Sequence, residues 1–135
     1  MRAFVDSNIF IYAIQAHPAF GKKCRQIIQD IEAGKISAFS SSLNLGEIGE
    51  VVARHYGRAE AVKAVSLVSA LPMGIEPVSK ENIIDANSIF SKYNINFSDA
   101  VVVSVMREKF IDTILTNDSH FRKVKEIKAI TPEKY

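Results

Sequence analysis

Short apolar runs alternate along the chain with longer stretches in which apolar side chains recur every third or fourth position, the pattern of strands interleaved with helices. Ala3 to Val5 read as a first strand, and Ser7-Asn8 offers capping side chains for a helix through Ile9 to Ile14. Pro18 opens a second helix, with Cys24, Ile27, Ile28 and Ile31 on its apolar face, until Gly34 stops it. Ile36 to Ser40 make a second strand. Ser41-Ser42 then caps a helix that runs to about Tyr56 and ends at Gly57. Arg58 to Leu71 form another helix, closed by Pro72, and Ile75 to Val78 a third strand after Gly74. Ser79 starts a helix through Ile83, Ala86 and Phe90 to Tyr93. Beyond the break at Asn94-Ile95-Asn96 come a helix from Ser98 to Phe110, a strand from Thr113 to Thr116, a short helix from about Ser119 and a last strand near Ile127 to Ile130.

Val101-Val102-Val103-Ser104-Val105 is β-branched enough for a buried strand, but its continuation through Met106-Arg107-Glu108-Lys109 and its length favour a central helix, apolar on nearly every side. The alternation implies an α/β fold, a parallel sheet flanked by helices, in which ligands bind outside the carboxyl ends of the strands. At 135 residues and 47% hydrophobic content, residues 1–135 are expected to be one domain with its own core. Apolar stretches are broken well short of a bilayer span by residues such as Asp6, Glu47 and Arg107, so no transmembrane helix is expected. Met1 to Phe4 lead straight into a strand, which leaves no signal peptide, and the single cysteine, Cys24, fits helix packing in a reducing cytoplasm.

The candidate chemistry lies in four short acidic segments: Phe4-Val5-Asp6-Ser7-Asn8, Leu45-Gly46-Glu47-Ile48, Phe97-Ser98-Asp99-Ala100-Val101 and Leu115-Thr116-Asn117-Asp118-Ser119. Each sets a carboxylate beside apolar residues, where an uncompensated charge costs desolvation. Four such groups converging from distant stretches would repel one another unless divalent cations neutralised them, so a hard-metal site is the natural reading. Each also has a plainer explanation. Asp99 and Asp118 could cap helices, and Glu47, on a face with Leu43 and Val51, could pair with Arg54. Asp6 is harder to dismiss, because it interrupts the apolar run from Phe4-Val5 to Ile9-Phe10-Ile11. Glu50 turns further toward solvent, and Asp85 and Asp112 read as structural. His17 and His55 at helix ends, and His120 in the short terminal helix, read as surface or capping residues, so no histidine is placed as a general base; only His120 falls near the acids.

Net charge is +2, with pI about 8.7, short of what binding nucleic acid by charge alone requires. If the four acids share a pocket, the rest of the surface is correspondingly basic. Arg54, Arg122 and Lys123 are then candidates for a rim that holds a phosphate backbone, against the alternative that they are solvated helix faces.

Taken together, these segments resemble the PIN-domain family, and within it the toxin ribonucleases of prokaryotic toxin–antitoxin pairs known as VapC. The resemblance rests on Phe4-Val5-Asp6-Ser7-Asn8-Ile9-Phe10-Ile11-Tyr12, Gly46-Glu47-Ile48-Gly49-Glu50-Val51-Val52, Phe97-Ser98-Asp99-Ala100-Val101-Val102, and Thr113-Ile114-Leu115-Thr116-Asn117-Asp118 followed by Phe121, in order and in register from Met1 to about Arg122. It implies a Rossmann-like α/β/α sandwich, one or two Mg²⁺ or Mn²⁺ ions held by Asp6, Glu47, Asp99 and Asp118, polar support from Ser7, Asn8 and Thr116, and cleavage of RNA. A cognate antitoxin and a homodimer joined by helices are further implications. Val51, Val62, Val65, Leu67 and Val68 make more apolar surface than one side of a small sheet readily covers, which agrees with the dimer. A housekeeping RNA-processing nuclease without an antitoxin, or a non-catalytic RNA-binding module, would share the fold.

Overall fold

In the computed structural model, which describes residues 1–135, the run Ala3-Phe4-Val5 forms the middle strand of a sheet because β-branched and aromatic side chains pack well on both pleated faces. The elements are β1 (Arg2–Val5), α1 (Ser7–Ile14), α2 (Gly21–Glu32), β2 (Ser37–Ser41), α3 (Ser42–Tyr56), α4 (Arg58–Ser69), β3 (Gly74–Glu76), α5 (Lys80–Lys92), α6 (Phe97–Glu108), β4 (Thr113–Leu115) and β5 (Lys128–Ile130). Two 3-10 turns lie at Ser119–Lys123 and Pro132–Lys134. All five strands are parallel, in the order β3-β2-β1-β4-β5. The expected α/β sandwich around a parallel sheet is thus the observed fold. No helix is long and apolar enough to cross a membrane.

Strand alternation divides the core in two. Ala3 and Val5 join Phe10, Ile27, Ile48 and Val68 in one apolar cluster, which unites α1 to α4 on one side of the sheet. Phe4 points the other way, into a cluster with Ala86, Ile89, Val102, Met106 and Phe121 from α5, α6 and the 3-10 turn. Helix α6 resolves the ambiguous valine run: every residue from Asp99 to Met106 is buried, so a helix apolar all round is what the site requires. Cys24 is fully buried on α2, as a packing residue.

Some expected boundaries shift. The second helix begins at Gly21, not Pro18, because residues 16–20 form a corner: Ala16 takes a left-handed φ of 49°, and His17 Nδ1 accepts the N–H groups of Ala19 and Phe20. Gly21 suits this corner, since a Cβ there would stand 2.9 Å from the carbonyl carbon of Ala16. The third strand is Gly74–Glu76, two residues short of Val78. Of the five apolar residues read as surplus on α3 and α4, Val68 is in the core and Val51 and Val65 are half-buried, leaving Val62 and Leu67 exposed.

The sheet order matters for the site. From β1 the chain moves to β2 on one flank and later returns to β4 on the other, so a crevice opens at the carboxyl ends of β1 and β4.

Candidate active site

Asp6 stands in that crevice. It follows β1 directly and is the N-cap of α1, where its Oδ1 accepts the backbone N–H of Ser7 at 2.8 Å. Oδ1 also accepts Asn44 Nδ2 at 3.2 Å, while Oδ2 accepts the Thr116 hydroxyl at 2.7 Å and Asn8 Nδ2 at 3.2 Å. Thr116, at the end of β4, is fully buried and also accepts the backbone N–H of Asp118 at 2.9 Å, so it ties the ends of the two strands together. Asn8 completes this link by accepting the Asn117 N–H through Oδ1. Burial raises the Asp6 pKa to about 6, against the lowering bonds from Thr116 and Ser7 and with further upward pressure from Glu47 and Asp99.

Glu47 arrives from α3. Its Oε2 accepts the Ser7 hydroxyl at 2.9 Å, so Ser7 joins Glu47 to the Asp6 loop. Glu47 makes no ion pair with Arg54; its partner is Ser7. One turn earlier on the same helix, Asn44 is held by the α3 cap: Ser41 Oγ accepts the Asn44 N–H and donates to Asn44 Oδ1, which leaves Nδ2 free to reach Asp6.

The other two acids meet through a histidine. Asp99 lies in the first turn of α6, three residues past the cap residue Asn96, and is itself buried rather than the cap. Asp118 does cap the Ser119–Lys123 turn, accepting the His120 N–H at 2.8 Å. His120 Nδ1 stands 3.1 Å from Asp99 Oδ2 and 3.2 Å from Asp118 Oδ1. The surface-residue reading of His120 therefore gives way to a place inside the acidic site. Asp99, like Asp6, titrates near 6, through burial first and the Asp118 charge second, with His120 pulling the other way.

All four predicted acids and their three polar supports thus converge from β1, α3, α6 and the end of β4. No lysine or arginine pairs with any of them. Carboxylates held near one another without a lysine or arginine to neutralise them are a hard-oxygen donor set in want of positive charge, and the donor atoms of Asp99, Asp118 and His120 all lie within 4.8 Å of one another. The residues present fit a divalent cation. The basic candidates lie outside this centre. Arg54 is exposed beside Glu47 and Glu50 in an open cleft of about 520 Å³, Arg122 is exposed, and Lys123 donates to the Asn94 carbonyl. Sequence reasoning missed Asn44 and His120 as members of the site. The signal for Asn44 was its place three residues before Glu47, on the same helical face.

The family model described as PIN domain matches residues 3–127. No curated protein matches the sequence. Among solved structures, the chain is similar to a DNA-bound VapBC from Salmonella typhimurium, with TM-score 0.73 and 16% identity over 98% of this chain and 99% of that one. It is also similar to a toxin–antitoxin complex from Klebsiella pneumoniae, with TM-score 0.70 and 16% identity over 98% and 99%. VapC20 of Mycobacterium tuberculosis, a sarcin-ricin loop cleaving toxin, aligns with TM-score 0.70 and 22% identity over 83% of this chain and 86% of that one. At such identities the likeness is one of fold.

Proposed function

Because the chain belongs to the PIN-domain family, we propose that it is a divalent-metal-dependent endoribonuclease acting in the cytoplasm, the toxin of a toxin–antitoxin pair. The observation that carries this reading is the convergence of Asp6, Glu47, Asp99 and Asp118 at the carboxyl ends of β1 and β4 with no lysine or arginine paired to them, His120 being the one titratable nitrogen among them. The resemblance of the fold to VapC-type toxins supports RNA as the substrate.

The chemistry that Mg²⁺ or Mn²⁺ would supply at this site is a water of lowered pKa as nucleophile and an offset to charge on the phosphoryl oxygens. Asp6, Glu47, Asp99 and Asp118 would hold the ion or ions. Ser7, Asn8 and Thr116 keep Asp6 in one orientation through their bonds to its two oxygens, and Ser7 carries that order to Glu47. The cleft beside Glu47 shares Glu50 and Arg54 with a second hollow lined by Glu50, Ala53, Arg54 and Arg58, so two arginines lie along α3 and the start of α4 near the acids. Arg54 would hold the RNA backbone there, and Arg122 and Lys123 would hold it beside the Ser119–Lys123 turn.

The antitoxin finds support in the neighbours solved as toxin–antitoxin complexes and in an apolar cleft of about 240 Å³ between α1, α2 and α4, lined by Phe10, Ile14, Ile28, Leu67, Val68 and Leu71. Such a cleft suits the apolar face of a partner helix. The reading is tested by incubating purified protein with total RNA in Mg²⁺ or Mn²⁺, and again with EDTA. Cleavage that EDTA abolishes is expected; RNA left intact in both metals, or cut equally in EDTA, would overturn it.

A further inference from the structure

His120 stands where a cation would bind, and its role there goes beyond that of a counter-charge. Its Nδ1 faces Asp99 Oδ2 and Asp118 Oδ1, oxygens from two different elements, at 3.1 and 3.2 Å. A single Nδ1 proton can serve one of these acceptors well and the second only by sharing. A metal ion can bind all three donors at once.

The turn that carries the ring is held beside the acids from several directions. The backbone N–H of His120 donates to Asp118 Oδ1, which fixes residues 118–120 as one turn. Asp118 is anchored in its turn by the bond from its own N–H to Thr116. Phe121, the next residue, is fully buried in the core around α5 and α6, so the backbone of the turn cannot lift away without unpacking a large aromatic ring. The His120 side chain is about one-third exposed, which leaves room for an ion to enter with some of its waters.

We propose that His120 is a nitrogen ligand of the metal site and shifts its preference from Mg²⁺ toward Mn²⁺ and the later first-row transition ions. This rests on the metal-dependent reading above and adds to it a ligand that the acidic quartet lacks. Mg²⁺ favours all-oxygen surroundings, whereas imidazole suits transition ions, whose affinity for a given nitrogen-containing site rises from manganese toward copper.

Two measurements on the purified protein test the assignment. Calorimetric titration with Mg²⁺ and with Mn²⁺ should show Mn²⁺ binding more tightly to the parent. In His120→Gln, Mn²⁺ affinity should fall by about tenfold or more, since losing even a partner that only orients a ligand costs about 10–100-fold, while Mg²⁺ affinity stays within about twofold. Pulsed electron paramagnetic resonance on the Mn²⁺-loaded parent labelled with ¹⁵N-histidine should show a nitrogen coupling that His120→Gln lacks. Unchanged Mn²⁺ binding in the variant and no nitrogen coupling in the parent would overturn the proposal while leaving the metal site in place. Equal loss of both ions in the variant would overturn it too, since His120 would then only position the carboxylates. A folded parent that binds neither ion would remove the metal-dependent reading itself, and this proposal with it.

Discussion

Asp6 and Asp99 both titrate near 6, yet their surroundings make them unequal probes of the site. Both Asp6 oxygens accept from donors on three sides, so an asparagine there would turn its NH₂ group toward other donors and confuse lost charge with lost bonding. Asp99 has one side-chain partner, His120, and Asp99→Asn changes little but the charge. A carboxyl whose pKa rises from 3.8 unfolded to about 6 folded costs no stability while protonated in both states, and costs progressively more as pH climbs from about 4 to 6. The melting temperature of Asp99→Asn minus that of the parent, both in EDTA, should therefore be near zero at pH 4 and rise to a plateau of several degrees in favour of the variant above pH 6. A difference that stays flat or falls with pH would show that Asp99 carries no such strain. At this scale Asp6 was legible because a charge breaking an apolar run is visible in one dimension. For His120 only its nearness to Asp118 was legible; its contact with Asp99 was not, since Asp99 is 21 residues away and only folding brings them together.

Helix α3 shows how the cap of an element sets a site that the helix reaches only through Asn44 and Glu47. Ser41, fully buried at its cap, orients Asn44, and Asn44 in turn bonds to Asp6. Ser41→Ala should cost about 1–2 kcal/mol of stability, read by urea denaturation, through the lost cap and an unpartnered Asn44 oxygen. It should also reduce RNA cleavage in Mg²⁺, although Ser41 is itself remote from any substrate. A variant as stable and as active as the parent would show the cap to be idle. The helix was readable from Ser41-Ser42 to Gly57, because caps and stops are local chemistry. The start of α2 was not, because the turn at Ala16 to Phe20 depends on His17 folding back on its own backbone. Helix α6 lay between: the valines alone fit either a buried strand or a buried helix, and the length of the run, Phe97–Glu108, decides for the helix.

At the scale of the whole molecule, alternating elements reveal a parallel sheet but not its strand order, and the order is what places the crevice between β1 and β4. Assembly is likewise outside the pattern. Val62 and Leu67 remain exposed on α4, and light scattering at micromolar concentration is expected to give a dimer mass, while a monomer at every concentration would count against the homodimer. Binding and cleavage should separate across the molecule. Neutralising Arg54, Arg122 and Lys123 together should weaken RNA affinity and flatten its salt dependence, with equal affinity and an equal salt slope as the contrary result. The most direct measurement sets Asp99→Asn beside the parent on the same RNA in Mg²⁺, following cleavage and binding in parallel. Cleavage should fall by about two orders of magnitude or more with binding retained; an Asp99→Asn protein that cuts RNA at the parent's rate would contradict the account.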